Sequence, residues 1–413
     1  MSKVTLSVPV VKKNRVSVFL TSSPECQKNF TTTEFFIEYT ENMESIPASI
    51  LMVPFLYNLV PISWFKDIEL EVPMLDKKTF ESLVILKENM SIIHGNVELG
   101  GKLKIGNIED NTNGNEVYKK AMLFSGGVDS WSSFLSHYEE HPYLCTVWGA
   151  DIKLNDTNGW NRVKKNTLEV CKQFNTEAFF VKTNFRDILN YFHLEQGLED
   201  ILTGNWWHDV QHGMGLTSLF APLMYKYHVE LLYVPGTFSS QWLEPIASEP
   251  RIDNYIKFGS SSVYHDQFEK NRQEKLVVIK KYFERTQQKF TIRVCYEGTG
   301  GENCCICEKC NRTIIGLMVL GLNAENFGFI KINTKRMKKL IANNSWVYSK
   351  ARLLSFQNIQ QMIDAKRLDT NINKDFIQWF SNVDFDECFR KNQASKFNKF
   401  KRTSKKLVKK VLK

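Results

Sequence analysis

The sequence predicts an α/β protein: a doubly wound, mostly parallel sheet, with an N-terminal β-rich or α+β domain before it and a helical C-terminal region after it. From Lys119 onward, short apolar runs alternate with segments of helical period, the pattern of strands covered by helices on both faces. Before residue 115 the chain is instead rich in β-branched stretches of period two. At the junction, a tight Gly126-Gly127 turn joins an apolar run to a helix start.

Taken in order, residues 4–11, 16–20, 34–39 and 67–72 read as strands, with a hairpin around 95–105. The run 46–65 carries no charge and approaches membrane-spanning length. Pro47, Pro54 and Pro61 interrupt its helical period and Tyr57, Asn58 and Ser63 add polar groups, so a buried segment of a soluble domain is expected. The polar run 109–115 makes a linker. Strands follow at 121–124, 143–148, 178–183 and 230–234, separated by helices at 129–139, 160–174 and 214–227. Beyond residue 327 the chain reads as helices, including 334–342 and 356–363. The expected division is therefore 1–115, 119–325, a helical region 326–390 and a basic tail 391–413.

The 413 residues are 43% hydrophobic and 24% charged, which excludes whole-chain disorder, collagen and coiled coil. Of the 54 Lys and Arg residues, 11 fall in 390–413, so the body carries 43 bases against 45 acids. A basic surplus confined to a tail does not favour a nucleic-acid enzyme. The start lacks the length and cleavage site of a secretory signal, so a cytoplasmic location is expected. Nine cysteines in that setting argue against a disulfide framework, and five of them between Cys295 and Cys310 suggest a metal.

Ser125-Gly126-Gly127-Val128-Asp129-Ser130 lies between a predicted strand and a predicted helix. Adjacent glycines let several N–H groups turn inward, and the helix start adds its unpaired N–H groups and positive dipole end, an arrangement suited to a phosphate. Ser125 and Ser130 supply hydroxyls, and Asp129 a carboxylate for Mg²⁺. The Gly-Lys-Ser/Thr ending of a Walker loop is missing. The plainer alternative is an ordinary strand-to-helix turn with a serine cap. The six residues resemble the pyrophosphate loop (PP-loop) of the N-type ATP pyrophosphatases, which include the GMP, NAD, asparagine and argininosuccinate synthetases. That resemblance implies an adenine nucleotide α hydrolase-like fold that cleaves ATP to AMP and pyrophosphate. A substrate oxygen attacks the α-phosphate, and a nitrogen nucleophile then displaces AMP from the adenylate.

Cys295, Cys304, Cys307 and Cys310 follow the spacing Cys-x8-Cys-x2-Cys-x2-Cys, which suits a closed tetrahedral Zn²⁺ site of structural rather than catalytic type. Cys305 falls outside the spacing. A redox Cys pair or an iron–sulfur cluster are the alternatives. Followed by Asn311-Arg312-Thr313, this spacing resembles the zinc site of the cyano-deazaguanine synthase of the queuosine pathway, and the two motifs place residues 119–325 near that branch. About 115 residues before the loop and about 85 after the cysteines depart from it and put the queuosine substrate in doubt. Longer relatives with both motifs occur in surface-polysaccharide clusters and anti-phage defence islands.

In many members of the superfamily a lysine shortly before the cysteines reaches the ATP phosphates; Lys275 holds that place here, with Arg272 in reserve. A solvated helix face is the alternative. Asp151, past the strand ending at Trp148, sits where a parallel sheet meets a nucleotide, to touch ribose or adenine or simply to cap a turn. His208 and His212, four apart around Asp209, resemble a metal pair only weakly. A substrate pocket built from Trp206, Trp207 and His212 fits better, with Thr237 in the loop 235–240 lining the same crevice, against a bland reading of aromatics packed under a loop. The tail 396–413 interleaves apolar residues with lysines, as in a helix on an anionic membrane surface, or equally in a solubilising end.

The combined expectation is an adenylating enzyme that uses ATP, Mg²⁺ and structural Zn²⁺. It would activate a small or protein-linked carboxylate or amide oxygen for ammonia or an amine, with a homodimer as the candidate assembly. Two other classes stand beside it: a component of an antiviral defence system, and a sugar-modifying enzyme for surface polysaccharide at the inner membrane surface.

Overall fold

The computed structural model describes residues 2–112, 119–241, 245–295, 301–343, 345–364 and 373–394. The chain forms two units, the first through Glu269 together with 299–301, and the second comprising the remaining residues from Lys270 onward.

Twelve strands build the sheet of the first unit: β1 Lys3–Leu6, β2 Val10–Lys12, β3 Arg15–Ser22, β4 Glu34–Tyr39, β5 Glu69–Asp76, β6 Lys102–Glu109, β7 Lys119–Leu123, β8 Tyr143–Trp148, β9 Ala178–Thr183, β10 Val229–Pro235, β11 Lys257–Phe258 and β12 Ser261–Asp266. They run in the order β11-β12-β10-β7-β8-β9-β4-β3-β1-β5-β6, with β2 paired to β3. The five strands from β12 to β9 are mutually parallel, while β4 joins β9 antiparallel, with Ile37 opposite Thr183. The N-terminal residues thus continue the same sheet. The expected boundary near residue 115 differs from this arrangement, because an unpaired β9 would bare a row of backbone N–H and C=O groups that β4 satisfies instead. The other boundary differs too: the cysteine segment expected within 119–325 lies in the second unit.

Helices cover both faces. On one, Ala121, Cys145, Phe179, Val181 and Val234 share a core with buried residues of the helices Ala48–Lys66, His212–Ser218 and Ala221–Tyr227. On the other, Phe180 packs with Trp160 and Val163 of the helix Thr157–Phe174. Phe124, Trp131, Phe134 and Phe174 add edge-to-face and tilted contacts there.

Three local expectations are corrected. The prolines do not break 46–65. Ala48–Lys66 is one helix with Pro54 and Pro61 inside it, long and apolar enough to cross a membrane but with 89% of its apolar window buried in protein. Burial on all sides stabilises the helix despite two lost N–H bonds, and its polar side chains find partners inside the protein: Asn58 Nδ2 donates to Pro54 O (2.9 Å) and Gly215 O (3.2 Å), and Tyr57 Oη donates to Lys257 O (3.0 Å). The hairpin at 95–105 is instead the end of a crossover. The helix Lys77–Ile93, N-capped by Asp76, carries the chain from β5 to β6, and parallel neighbours need such a connection. The segment 214–227 is two helices, because Pro222 cannot donate to Ser218 O four residues back.

The second unit holds the helices Arg272–Thr286, Glu308–Val319, Thr334–Ala342, Lys350–Gln361 and Lys374–Ser381. Phe356, Phe376, Phe380 and Phe385 form an aromatic cluster beneath the last two. The tail helix expected over 396–413, and residues 113–115 of the expected linker, lie outside the described residues.

Candidate functional site

Along the parallel strands the chain steps outward from β7 to β8 and β9, then returns to the other side of β7 with β10 and continues to β12. The order reverses between β7 and β10, and in open α/β sheets ligands bind at the carboxyl ends of strands where such a reversal opens a crevice. The glycine turn is the segment that leaves β7 at this point.

Its geometry follows from its residues. Gly126 has φ +74°, a left-handed conformation that side chains disfavour. Gly127 is extended and serves as N-cap of the ten-residue helix Val128–His137. Gly127 N–H donates to Ser125 Oγ (3.4 Å), and Ser130 Oγ donates to Gly127 O (3.1 Å) while standing 3.5 Å from Ser125 Oγ. Below the turn, Phe124 is pinned by its N–H to Cys145 O (2.8 Å) and by Thr146 Oγ1 to its carbonyl (2.9 Å). Buried Val128, Trp131 and Phe134 anchor the helix, whereas Ser125 is exposed and Asp129 partly so in the first turn.

The neighbouring strand ends bring further residues to the same edge. Asp151 is exposed just beyond β8 and Thr237 just beyond β10. Past β9, Arg186 lies 4.3 Å from the Trp207 ring centroid and donates to Ala150 O (3.4 Å) and Tyr191 Oη (3.3 Å). Trp207–Gln211 is a π-helical turn leading into the helix that starts at His212, and such turns concentrate at functional sites. Trp206 is buried core rather than pocket. Burial pushes His212 below its ordinary pKa against the opposing charges of Asp253 and Asp151. His208 pairs with Asp209 through a very short contact. Among the described residues, His208 and His212 belong to no group of three or more metal-type ligands.

Lys275 and Arg272 stand on the helix Arg272–Thr286 of the second unit, opened by an Asn271–Glu274 capping box. Lys275 is wholly buried, which removes the solvated-face reading, and Arg272 Nη2 donates to Thr313 Oγ1 (3.3 Å).

The same unit gathers the Sγ atoms of Cys295, Cys304, Cys307 and Cys310 within 4.8 Å of one another. Cys295–Cys307 and Cys304–Cys310 are each 3.9 Å apart, close to the roughly 3.8 Å edge of a tetrahedron with 2.3 Å zinc–sulfur bonds. Cys304 Sγ accepts N–H bonds from Ile306 and Cys307 (3.3 Å each), and Cys307 Sγ accepts one from Cys310 (3.5 Å). The left-handed Cys305 makes that turn possible, and its own Sγ points to Asn303 O (3.8 Å). The hydrogen bond from the Cys310 thiol lowers the pKa of Cys307 to about 5, and the same hydrogen bond, with burial, raises that of Cys310. These four sulfurs could hold a metal ion such as zinc. Glu308, paired with Arg312 (2.7 Å) and Arg352 (3.1 Å), ties the cluster to the helix Lys350–Gln361.

Arg186, Asp253 and His265 escape the sequence reading. Each stands outside any motif, and His265 lies on β12, a strand whose short alternating run gives little signal. Comparison of the chain with protein-family models, curated proteins and solved structures finds no match.

Proposed function

We propose that the protein is an ATP-dependent adenylating enzyme, splitting ATP into AMP and pyrophosphate to activate a carboxylate or amide oxygen for attack by ammonia or an amine. The observation that carries this reading is the position of Ser125–Ser130: a half-buried Gly-Gly turn, entered by the exposed Ser125, at a helix N-terminus and at the strand-order reversal. Its resemblance to the pyrophosphate loop gives the reaction type.

In this reading the backbone N–H groups and the hydroxyls of Ser125 and Ser130 hold the β- and γ-phosphoryl groups, donors placed before charge develops. Asp129 offers the hard carboxylate oxygen that Mg²⁺ takes alongside phosphate oxygens, neutralising the triphosphate. The resemblance assigns the cation for the phosphates to Lys275, with Arg272 in reserve. Asp151 is proposed for the nucleoside, and His212 and Thr237 for the acid to be activated. The cysteines would hold Zn²⁺ as a folding element with no place in the chemical step.

Purified protein incubated with ATP, Mg²⁺ and a panel of carboxylates is expected to yield AMP and pyrophosphate, resolved by anion-exchange chromatography. ADP as the sole product rejects the mechanism.

A further inference from the structure

The first unit contains a wholly buried acid–imidazole pair outside the loop. The Asp253 and His265 side chains are 0% and 1% exposed, and His265 Nδ1 lies 2.7 Å from Asp253 Oδ2. Ser248 Oγ donates to the same carboxylate oxygen (2.7 Å), and His265 N–H donates to Asn254 Oδ1 (2.7 Å), so ring and backbone are both held. With the Asp253 carboxylate accepting, the neutral ring carries its proton on Nδ1 and has its lone pair on Nε2. Nε2 is buried with no hydrogen-bond partner among the described residues, and native interiors rarely leave such an acceptor unpaired without a use for it.

Register gives its place. His265 pairs with Val234 near the end of β10, and Gly236, just beyond, stands against Nε2: a Cβ there would lie 2.6 Å from that atom. The lone pair therefore sits at the carboxyl edge of the sheet, beside the strand that forms one side of the reversal. His212 acts electrostatically on the same Asp253.

We propose that His265, oriented by Asp253, is the general base for the nitrogen nucleophile; this rests on the adenylation reading. As the amine nitrogen bonds to the acyl carbon of the adenylate, its N–H proton passes to Nε2. The carbon–oxygen bond to phosphate breaks and AMP leaves with the electron pair. The imidazolium, stabilised by Asp253, then returns its proton to water.

Two measurements test it. In wild-type protein labelled with ¹⁵N-histidine, Nε2 of His265 is expected at an acceptor shift and Nδ1 at a protonated one; the opposite tautomer overturns the proposal whether or not ATP is split. With a carboxylate that supports ATP–pyrophosphate exchange, His265→Gln is expected to slow capture by ammonia about 10²- to 10⁴-fold, beyond any fall in exchange. Hydroxylamine, an α-nucleophile whose attack depends less than that of ammonia on a base to take the N–H proton, should recover much of that loss. Equal losses with ammonia and hydroxylamine overturn the base role. Absence of exchange in the wild type would instead reject adenylation itself.

Discussion

Single residues here have chemistry set by immediate neighbours. His137 has both ring nitrogens facing carboxylates, Nδ1 to Glu140 (2.7 Å) and Nε2 to Asp266 (3.3 Å). Burial lowers its pKa, but the hydrogen bonds to Asp266 and Glu140 outweigh it and hold the ring above its ordinary value. A folded-state pKa above the unfolded one stabilises the protein fully below about pH 6.5, and that contribution is lost as pH rises through the folded value. His137→Gln should therefore lower Tm more at acid than at alkaline pH, as thermal melts across that range would show; a constant difference would contradict it. Cys305 and Cys307 make a second contrast within one turn. Cys305→Ser should keep one bound zinc per chain by elemental analysis, and Cys307→Ser should lose it together with Tm, since metal binding at such sites is coupled to folding.

At the scale of elements, the prolines of Ala48–Lys66 are tolerated because the helix is held by its surroundings. Gln211 Nε2 donates to Asn58 Oδ1 (2.7 Å), fastening the helix to the π-helical turn Trp207–Gln211. Asn58→Ala leaves Gln211 and Gly215 O short of a partner in the interior and should cost about 1–3 kcal/mol, seen as a lower urea midpoint with unchanged slope. This element also marks where sequence reading stops. The loop Ser125–Ser130, the strands β7 to β10 and the helix Thr334–Ala342 are legible because period, glycine pair and caps are local signals. The four cysteines are legible because ligand spacing is local too. The prolines mislead because their penalty is assessed for an isolated helix, and packing overrides it.

For the whole molecule, what sequence could not give is pairing between distant segments. Nothing in Glu34–Tyr39 says that it will close the far edge of β9, nor in Lys257–Asp266 that β12 will bring His265 beside Gly236. A fragment beginning at residue 119 should consequently aggregate, because it loses the strand on β9 and the helix Ala48–Lys66 that shares a core with the helix His212–Ser218; a soluble monomer by gel filtration would contradict this.

The reversal of strand order has a kinetic side. Lys120 of β7 reaches Glu230 of β10 across 110 positions of sequence, with a 2.7 Å contact between their side chains. The glycine turn can take shape from neighbours a few residues away, but the opposite bank of the crevice must wait for that long closure, which slows folding. Early in folding the chain therefore has the glycine bend with nothing facing it; in the proposed reading, competence to seat a nucleotide would be among the last properties it acquires.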